Sequence, residues 1–266
     1  MASFAAVTSS PRRIVCLTEE PTEILHLLGE GERVVGLSAW TCRPPGAREK
    51  APVVSGFTGG NVKRIVELEP DLVIGFSDIQ ADLAAQLIRA NLQVLIFNQR
   101  TLEEILDMIL MLGRIVGQEA RAQELVNGYR ARLEQVRAAS ARRPRRPRVY
   151  FEEWPDPLIS CIRWVSELIE VAGGTDVFAE RSKGKLAKER FVTSEEIVTR
   201  DPEVIIASWC GKPVERGSFA LRKGWEGVPA IRHDAIHEIE STLILQPGPA
   251  CLTDGLDALV RILGEA

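Results

Sequence analysis

Apolar residues along this chain come in short dense runs, and the runs alternate with stretches whose apolar positions recur every three to four residues. IVCL at 14–17 reads as a buried strand, residues 21–28 as an amphipathic helix closed by Gly29, and RVVGLS at 33–38 as a second strand. The rhythm continues with a short helix at 62–68, a buried strand DLVIG at 71–75, a helix at 81–90 and a strand QVLIF at 93–97. Alternating strands and helices predict a parallel α/β layer, so residues 1–117 form a first lobe. Thr101 with Glu104 makes a capping box for a helix whose apolar face is Leu102, Ile105, Ile109, Leu112 and Val116, and Gly117 interrupts it. Residues 119–140, rich in Ala, Arg, Glu and Leu, predict one long helix of roughly 30 Å at 1.5 Å per residue. After it the pattern restarts with strand RVYFEEW at 148–154, helices at 164–172 and 194–199, strand EVIIAS at 203–208 and a terminal helix at 253–263.

The phrase IVELEPDLVIGF beginning at Ile65 has a counterpart in IVTRDPEVIIAS beginning at Ile197, each a short helix, an acidic-Pro-acidic break and a buried strand. A phrase repeated on either side of one long helix predicts two similar α/β lobes with parallel-type sheets, joined by a single α-helix. The boundaries are 1–117, a connector of long helix and Arg/Pro segment at 118–147, and 148–266. Ligands in such folds meet the loops at the strand carboxyl ends, and the expected site is the cleft between the lobes.

Composition narrows the class. The net charge of −4 gives no global positive field for nucleic acid or anionic lipid. The run RRPRRPR at 142–148 reads as a solvated connector at a helix C-terminus, where cations suit the dipole and Pro stops the helix. No stretch of about 18 apolar residues crosses a membrane. MASFAAVTSSP offers no apolar leader, and the five cysteines are odd in number and widely spaced. Both point to the cytoplasm; a removed leader or misassigned start would instead make the protein periplasmic.

Motifs for chemistry are sparse. Gly29, Gly31 and Gly36 close a helix and enter a strand, the reverse of a nucleotide loop, and neither GxxxxGK[ST] nor GxSxG occurs. His233 and His237 have metal-ligand spacing only on a helix, whereas Pro229 and the alternation of HEIESTLIL predict strand or loop, so no metal site is assigned. Glu152, Glu153 and Asp156 are the only acid/base candidates, and they lack a companion nucleophile. Aromatic placement says more: Trp40, Phe57, Phe76, Trp154 and Trp209 all fall at or just beyond predicted strand ends, as walls for a broad planar ligand would, or as seals over the core. Trp225 reads as structural.

IVELEPDLVIGF, the glycine pair in IEVAGGTDVF, and GWEGVPAI followed by PGPACLTDGLDAL together resemble the substrate-binding proteins of vitamin B12 and iron-siderophore importers. FEEWPDPLIS and SWCG are most similar to the cobalamin-binding branch. The resemblance implies the class III periplasmic-binding fold, with two α/β lobes, a rigid helical backbone and small hinge motion. It implies a non-enzymatic protein without an intrinsic cofactor that binds a bulky metal chelate, cobalamin or another corrinoid, for uptake or intracellular handling. A siderophore or haem is the alternative ligand, and a corrinoid-modifying enzyme using Glu152, Glu153 and Asp156 the more distant one. Phe57, Phe76 and Trp154 match the family's pocket positions; loop context adds Trp40, Arg43, Trp209 and Cys210, the last able to reach a ligand metal through sulfur though more simply a small buried hydrophobe. Each lobe of the family docks on arginines of the importer permease through a glutamate. Glu195 matches the second, but Lys63 occupies the first, a charge reversal that weakens docking and suits an intracellular carrier.

Overall fold

A computed structural model describes residues 10–265. The chain forms two compact units, the first made of the described residues through Gln99 with Leu106–Val126, the second of Arg100–Ile105 with the described residues from Asn127 onward.

In unit 1, β1 (Ile14–Cys16), β2 (Val34–Ser38), β3 (Val53–Ser55), β4 (Leu72–Phe76) and β5 (Val94–Phe97) make a parallel sheet in the order β3-β2-β1-β4-β5. The connecting helices are α1 (Glu19–Leu27), α2 (Ala47–Lys50), α3 (Val62–Glu67) and α4 (Ala81–Arg89). Strand β1 lies at the centre and is wholly buried, which is why IVC carries no polar alternation. Val15, Leu17, Val54, Ile65, Val73, Leu83 and Leu87 form the core between sheet and helices.

The helices α5 (Leu102–Val116) and α6 (Glu119–Ser140) follow. The predicted capping box is present, with Glu104 N–H donating to Thr101 Oγ1 at 3.1 Å and Thr101 N–H to the Glu104 carboxylate at 3.0 Å. Gly117, at φ 75°, makes the turn between α5 and α6. Close packing of their unit 1 portions depends on Gly113, where an added Cβ would meet Ala122 Cβ at 2.3 Å. The chain passes between the units at three points, between Gln99 and Arg100, within α5 between Ile105 and Leu106, and within α6 between Val126 and Asn127.

Unit 2 holds β6 (Arg148–Pro155), β7 (Leu158–Ser160), α7 (Arg163–Val171), β8 (Thr175–Asp176), α8 (Ser194–Arg200), β9 (Val204–Ala207), α9 (Arg216–Ala220), α10 (Pro229–Arg232), β10 (Ile236–Glu238), α11 (Ser241–Ile244) and α12 (Leu256–Glu265). The sheet order is β10-β9-β6-β7, with β8 also paired to β6. All pairings are parallel except β6 with β7, an antiparallel hairpin that turns at the cis Asp156–Pro157 bond. Tyr150, Phe178, Trp209, Phe219 and Trp225 fill the core. Four of the arginines in the basic run are tied down rather than simply solvated. Arg143 donates at 3.1 Å to the carbonyls of Ala172 and Leu263, near the ends of α7 and α12; Arg146 reaches the Gly174 carbonyl at 2.7 Å; and Arg145 and Arg148 pair with Glu203.

Candidate functional site

At the carboxyl edge of the unit 1 sheet, Trp40 lies two residues beyond β2, Phe57 two beyond β3, and Phe76 ends β4. Trp40 is 37% and Phe57 51% exposed, costly for large apolar rings unless something covers them, whereas Phe76 is buried. Ile79 is also exposed, in the turn that follows β4 at the same sheet edge, a position that a lone aliphatic residue in a polar loop does not announce in sequence. Gln80, fully buried, braces the edge. Its Nε2 donates to the carbonyls of Leu17 at 3.3 Å and Phe57 at 3.2 Å, and its Oε1 accepts from the Phe76 N–H at 3.0 Å, so three loops are held by one side chain.

After β1 the TEEPTE segment places Glu19, Glu20 and Glu23 in α1, all buried. Arg43 donates from Nε to Glu23 Oε1 at 2.6 Å, which fixes the loop after β2 against α1 and makes Arg43 half of an ion pair. Burial, reinforced by the charge of Glu20, pushes the Glu19 carboxyl up to about 8; burial pushes Glu20 up to about 7, against the opposing hydroxyl of Thr18. Two neighbouring carboxyls disfavour simultaneous ionisation, so one proton stays with the pair near neutrality.

At the carboxyl edge of unit 2 the acids are committed to arginines. Glu152, with no exposure, accepts from Tyr150 Oη at 3.1 Å, Trp209 Nε1 at 3.2 Å and both terminal nitrogens of Arg222, one at 2.8 Å. Arg222 in turn lies 4.1 Å from the Phe219 ring centre and 4.7 Å from that of Trp225. Glu153 is gripped through both oxygens by the buried Arg190, Nη2 to Oε1 at 3.0 Å. Asp156 is exposed in the β6–β7 turn, where its carbonyl accepts from Trp154 Nε1 at 2.9 Å. Trp154 is half-buried at the end of β6. Trp209 is only 4% exposed and stacks on Phe219 at 6.2 Å, with Lys212 Nζ 5.2 Å from its ring centre. Cys210 follows it, half-buried, in a tight turn allowed by Gly211 at φ 68°.

Trp40 and Phe57 therefore share the unit 1 edge as exposed rings, Phe76 and Arg43 are used within that edge, Trp154 and Cys210 lie partly open on unit 2, and Trp209 is built into its core. His233 ends α10 and His237 sits in β10, so they share no helical face. Among the described residues no group of three His, Cys, Asp or Glu side chains is placed to hold a metal ion.

A family model described as periplasmic binding protein matches residues 14–243, and the chain belongs to the periplasmic binding protein family. Its two parallel-sheet α/β units are those of the class III branch. Across 264 residues it is 27% identical to the ABC transporter substrate-binding lipoprotein YvrC of Bacillus subtilis, covering 96% of this chain and 81% of the relative. Over 253 residues it is 26% identical to the vitamin B12-binding protein of Vibrio parahaemolyticus, covering 94% and 89%. The solved structure of the periplasmic heme-binding protein RhuT from Roseiflexus matches with a TM-score of 0.78 at 24% identity, covering 95% and 99%, which shows the shared fold.

These relatives overturn the cytoplasmic expectation, and with it the intracellular role: they are a lipoprotein and a protein titled periplasmic. The expectation rested on eleven opening residues and on cysteine spacing, and neither bears on the compartment in which a fold of this family works. No helix among the described residues is long and apolar enough to cross a membrane.

Proposed function

We propose that this protein is the substrate-binding component of an ABC-type importer and takes a bulky metal chelate, cobalamin or another corrinoid, without chemical conversion. The observation that carries the reading is the pair of exposed rings, Trp40 and Phe57, on the carboxyl edge of a sheet in a chain matched nearly end to end by a vitamin B12-binding protein. Occupation of Glu152 by Arg222 and of Glu153 by Arg190 supports a non-enzymatic role, because neither carboxylate is available to move a proton. A haem or ferric siderophore is the second reading, favoured by the likeness to RhuT.

Docking to a permease uses Glu195 and is weakened by Lys63. Glu195 is exposed in the first turn of α8, and its carboxyl is held below the ordinary value by its own backbone N–H and the Thr193 hydroxyl, so it stays ionised. Lys63 is exposed in α3, 3.9 Å from Glu67, and opposes an arginine partner. Visible-absorbance titration of the purified protein with cobalamin, hemin and a ferric siderophore tests the ligand reading; saturable binding to cobalamin is expected, and saturation by none of the three refutes it.

A further inference from the structure

Unit 2 contains a cavity that the chelate reading does not use. Its volume is about 580 Å³, within the range of about 300–1,000 Å³ usual for pockets that hold small organic molecules. The walls come from unit 2 alone: the first turn of α5, the last turn of α6, one face of α7, Arg146 of the basic run, and the segment from Ala179 through the 3₁₀ turn Arg181–Lys183. None of the aromatic candidates lines it. Four cations do, Arg137, Arg146, Arg163 and Lys183, against the three acids Glu103, Glu167 and Glu170. The acids are already engaged. Glu167 accepts from Arg163 Nε at 3.0 Å through one oxygen and from the Leu102 N–H at 2.8 Å through the other. Glu170 accepts from Arg146 at 2.5 Å and from the Asp176 N–H at 3.4 Å, and Glu103 pairs with Arg130. The serine hydroxyls in the wall are engaged too, Ser166 donating to Asp176 Oδ2 at 2.6 Å and Ser182 to the Ala179 carbonyl at 2.8 Å. Donors remain. Among the described residues Lys183 has no side-chain partner, Arg163 uses only its Nε, and Arg137 uses one terminal nitrogen, on Glu134 outside the wall.

We propose that this cavity is a second binding site, for a phosphate group carried on a small organic body. The guanidinium nitrogens of Arg137 and Arg163 and the ammonium of Lys183 are donors without acceptors of their own, so the missing partner is an anion rich in oxygen. These donors stand on three separate elements, α6, α7 and the 3₁₀ turn, which suits a tetrahedral oxyanion with oxygens in several directions better than a planar carboxylate with two. Leu102, Val171 and Ala179 add an apolar stretch of wall, against which the rest of the ligand rests. The site shares no residue with the chelate reading and stands whether or not that reading does.

Isothermal titration calorimetry of the purified chain with glycerol 3-phosphate and with inorganic pyrophosphate tests the proposal; saturable binding at one site is expected. Arg137→Gln combined with Lys183→Gln should weaken it by at least about tenfold, and both side chains are exposed, so the melting temperature should hold. If that pair fails to fold, Lys183→Gln alone, which breaks no side-chain contact among the described residues, should still weaken binding about threefold. Arg142→Gln removes an exposed cation of the basic run that does not line the cavity, and its affinity should stay within about twofold of wild type, because a charge off the site is screened by salt. Saturable binding of neither compound overturns the proposal, as does unchanged affinity in the folded cavity variants. Arg142→Gln weakened as much as the cavity pair also overturns it, since the effect would then belong to a diffuse surface field. Co-sedimentation with phosphatidylglycerol vesicles identifies the source: vesicle binding lost in the cavity pair and kept in Arg142→Gln supports the site with a lipid headgroup, and glycerol 3-phosphate binding without vesicle binding supports it with a soluble ester.

Discussion

Replacing Arg222 with Met isolates what holds the carboxyl edge of unit 2 together. Glu152 has no exposure, and two of its four donors are Arg222 nitrogens, so the substitution leaves a buried carboxylate with only the Tyr150 hydroxyl and the Trp209 indole. Breaking a buried pair from one side costs about 3–5 kcal/mol, because the remaining charge is uncompensated, and loss of the guanidinium over Phe219 and Trp225 adds to it. At about 2–4 °C per kcal/mol for a chain of this size, the melting temperature should fall by about 10 °C, read by circular dichroism. Glu152→Gln combined with Arg222→Met removes the stranded charge and should recover at least half of that loss, since the penalty belongs to the unpaired carboxylate rather than to the missing attraction. A melting temperature within about 2 °C of wild type for Arg222→Met, or a double variant as unstable as the sum of the singles, would refute the reasoning.

Stability should also depend on pH through α1. Glu19 and Glu20 titrate at about 8 and about 7 in the folded chain against an ordinary value of 4.5, so between these limits the native state binds more protons than the unfolded one. Their stabilising contribution is complete below about 4.5 and is lost as pH rises through 7 and 8. Melting scans from pH 5.5 to 8.5 should therefore fall less steeply in Glu20→Gln than in wild type, and parallel profiles would contradict this. Phe57→Ala should leave the melting temperature nearly unchanged while weakening cobalamin binding more than about tenfold; Trp209→Ala should cost about 3–5 kcal/mol of stability, because that ring is core. Gly255→Ala should destabilise measurably in urea titration, since the added Cβ would lie 2.4 Å from the Leu243 carbonyl oxygen in the turn that opens α12.

Elements with long or densely apolar signals were legible in the sequence, and several of the shortest strands were not. The helix read at 119–140 is α6 as observed, and the strand read at 148–154 is β6 to within one residue. Strands β3, β7 and β8, of two or three residues, show too little alternation to stand out, and β7 follows a proline turn that sequence alone reads as a loop. Side-chain networks were the least visible. Glu152 looked like an available acid because its partner Arg222 lies 70 residues on, and no local spacing connects them. Glu19 and Glu20 fall outside the helix read at 21–28 yet open α1, and nothing in their local pattern announces that both are buried. The aromatic residues at strand ends were visible as a set, but whether each ring faces outward, as Phe57 does, or inward, as Trp209 does, is set by tertiary neighbours such as Phe219.

Because residues 100–105 belong to unit 2 and 106–126 to unit 1, neither unit is an uninterrupted stretch of polypeptide. A fragment ending at Gly117 would take from unit 2 the Leu102 N–H that donates to Glu167 at 2.8 Å and the Glu103 carboxylate that pairs with Arg130. Halves exchanged between relatives at a single splice point would inherit mismatched seams. Chimeras meant to transplant ligand preference have to carry the interleaved helical hairpin with whichever half is kept.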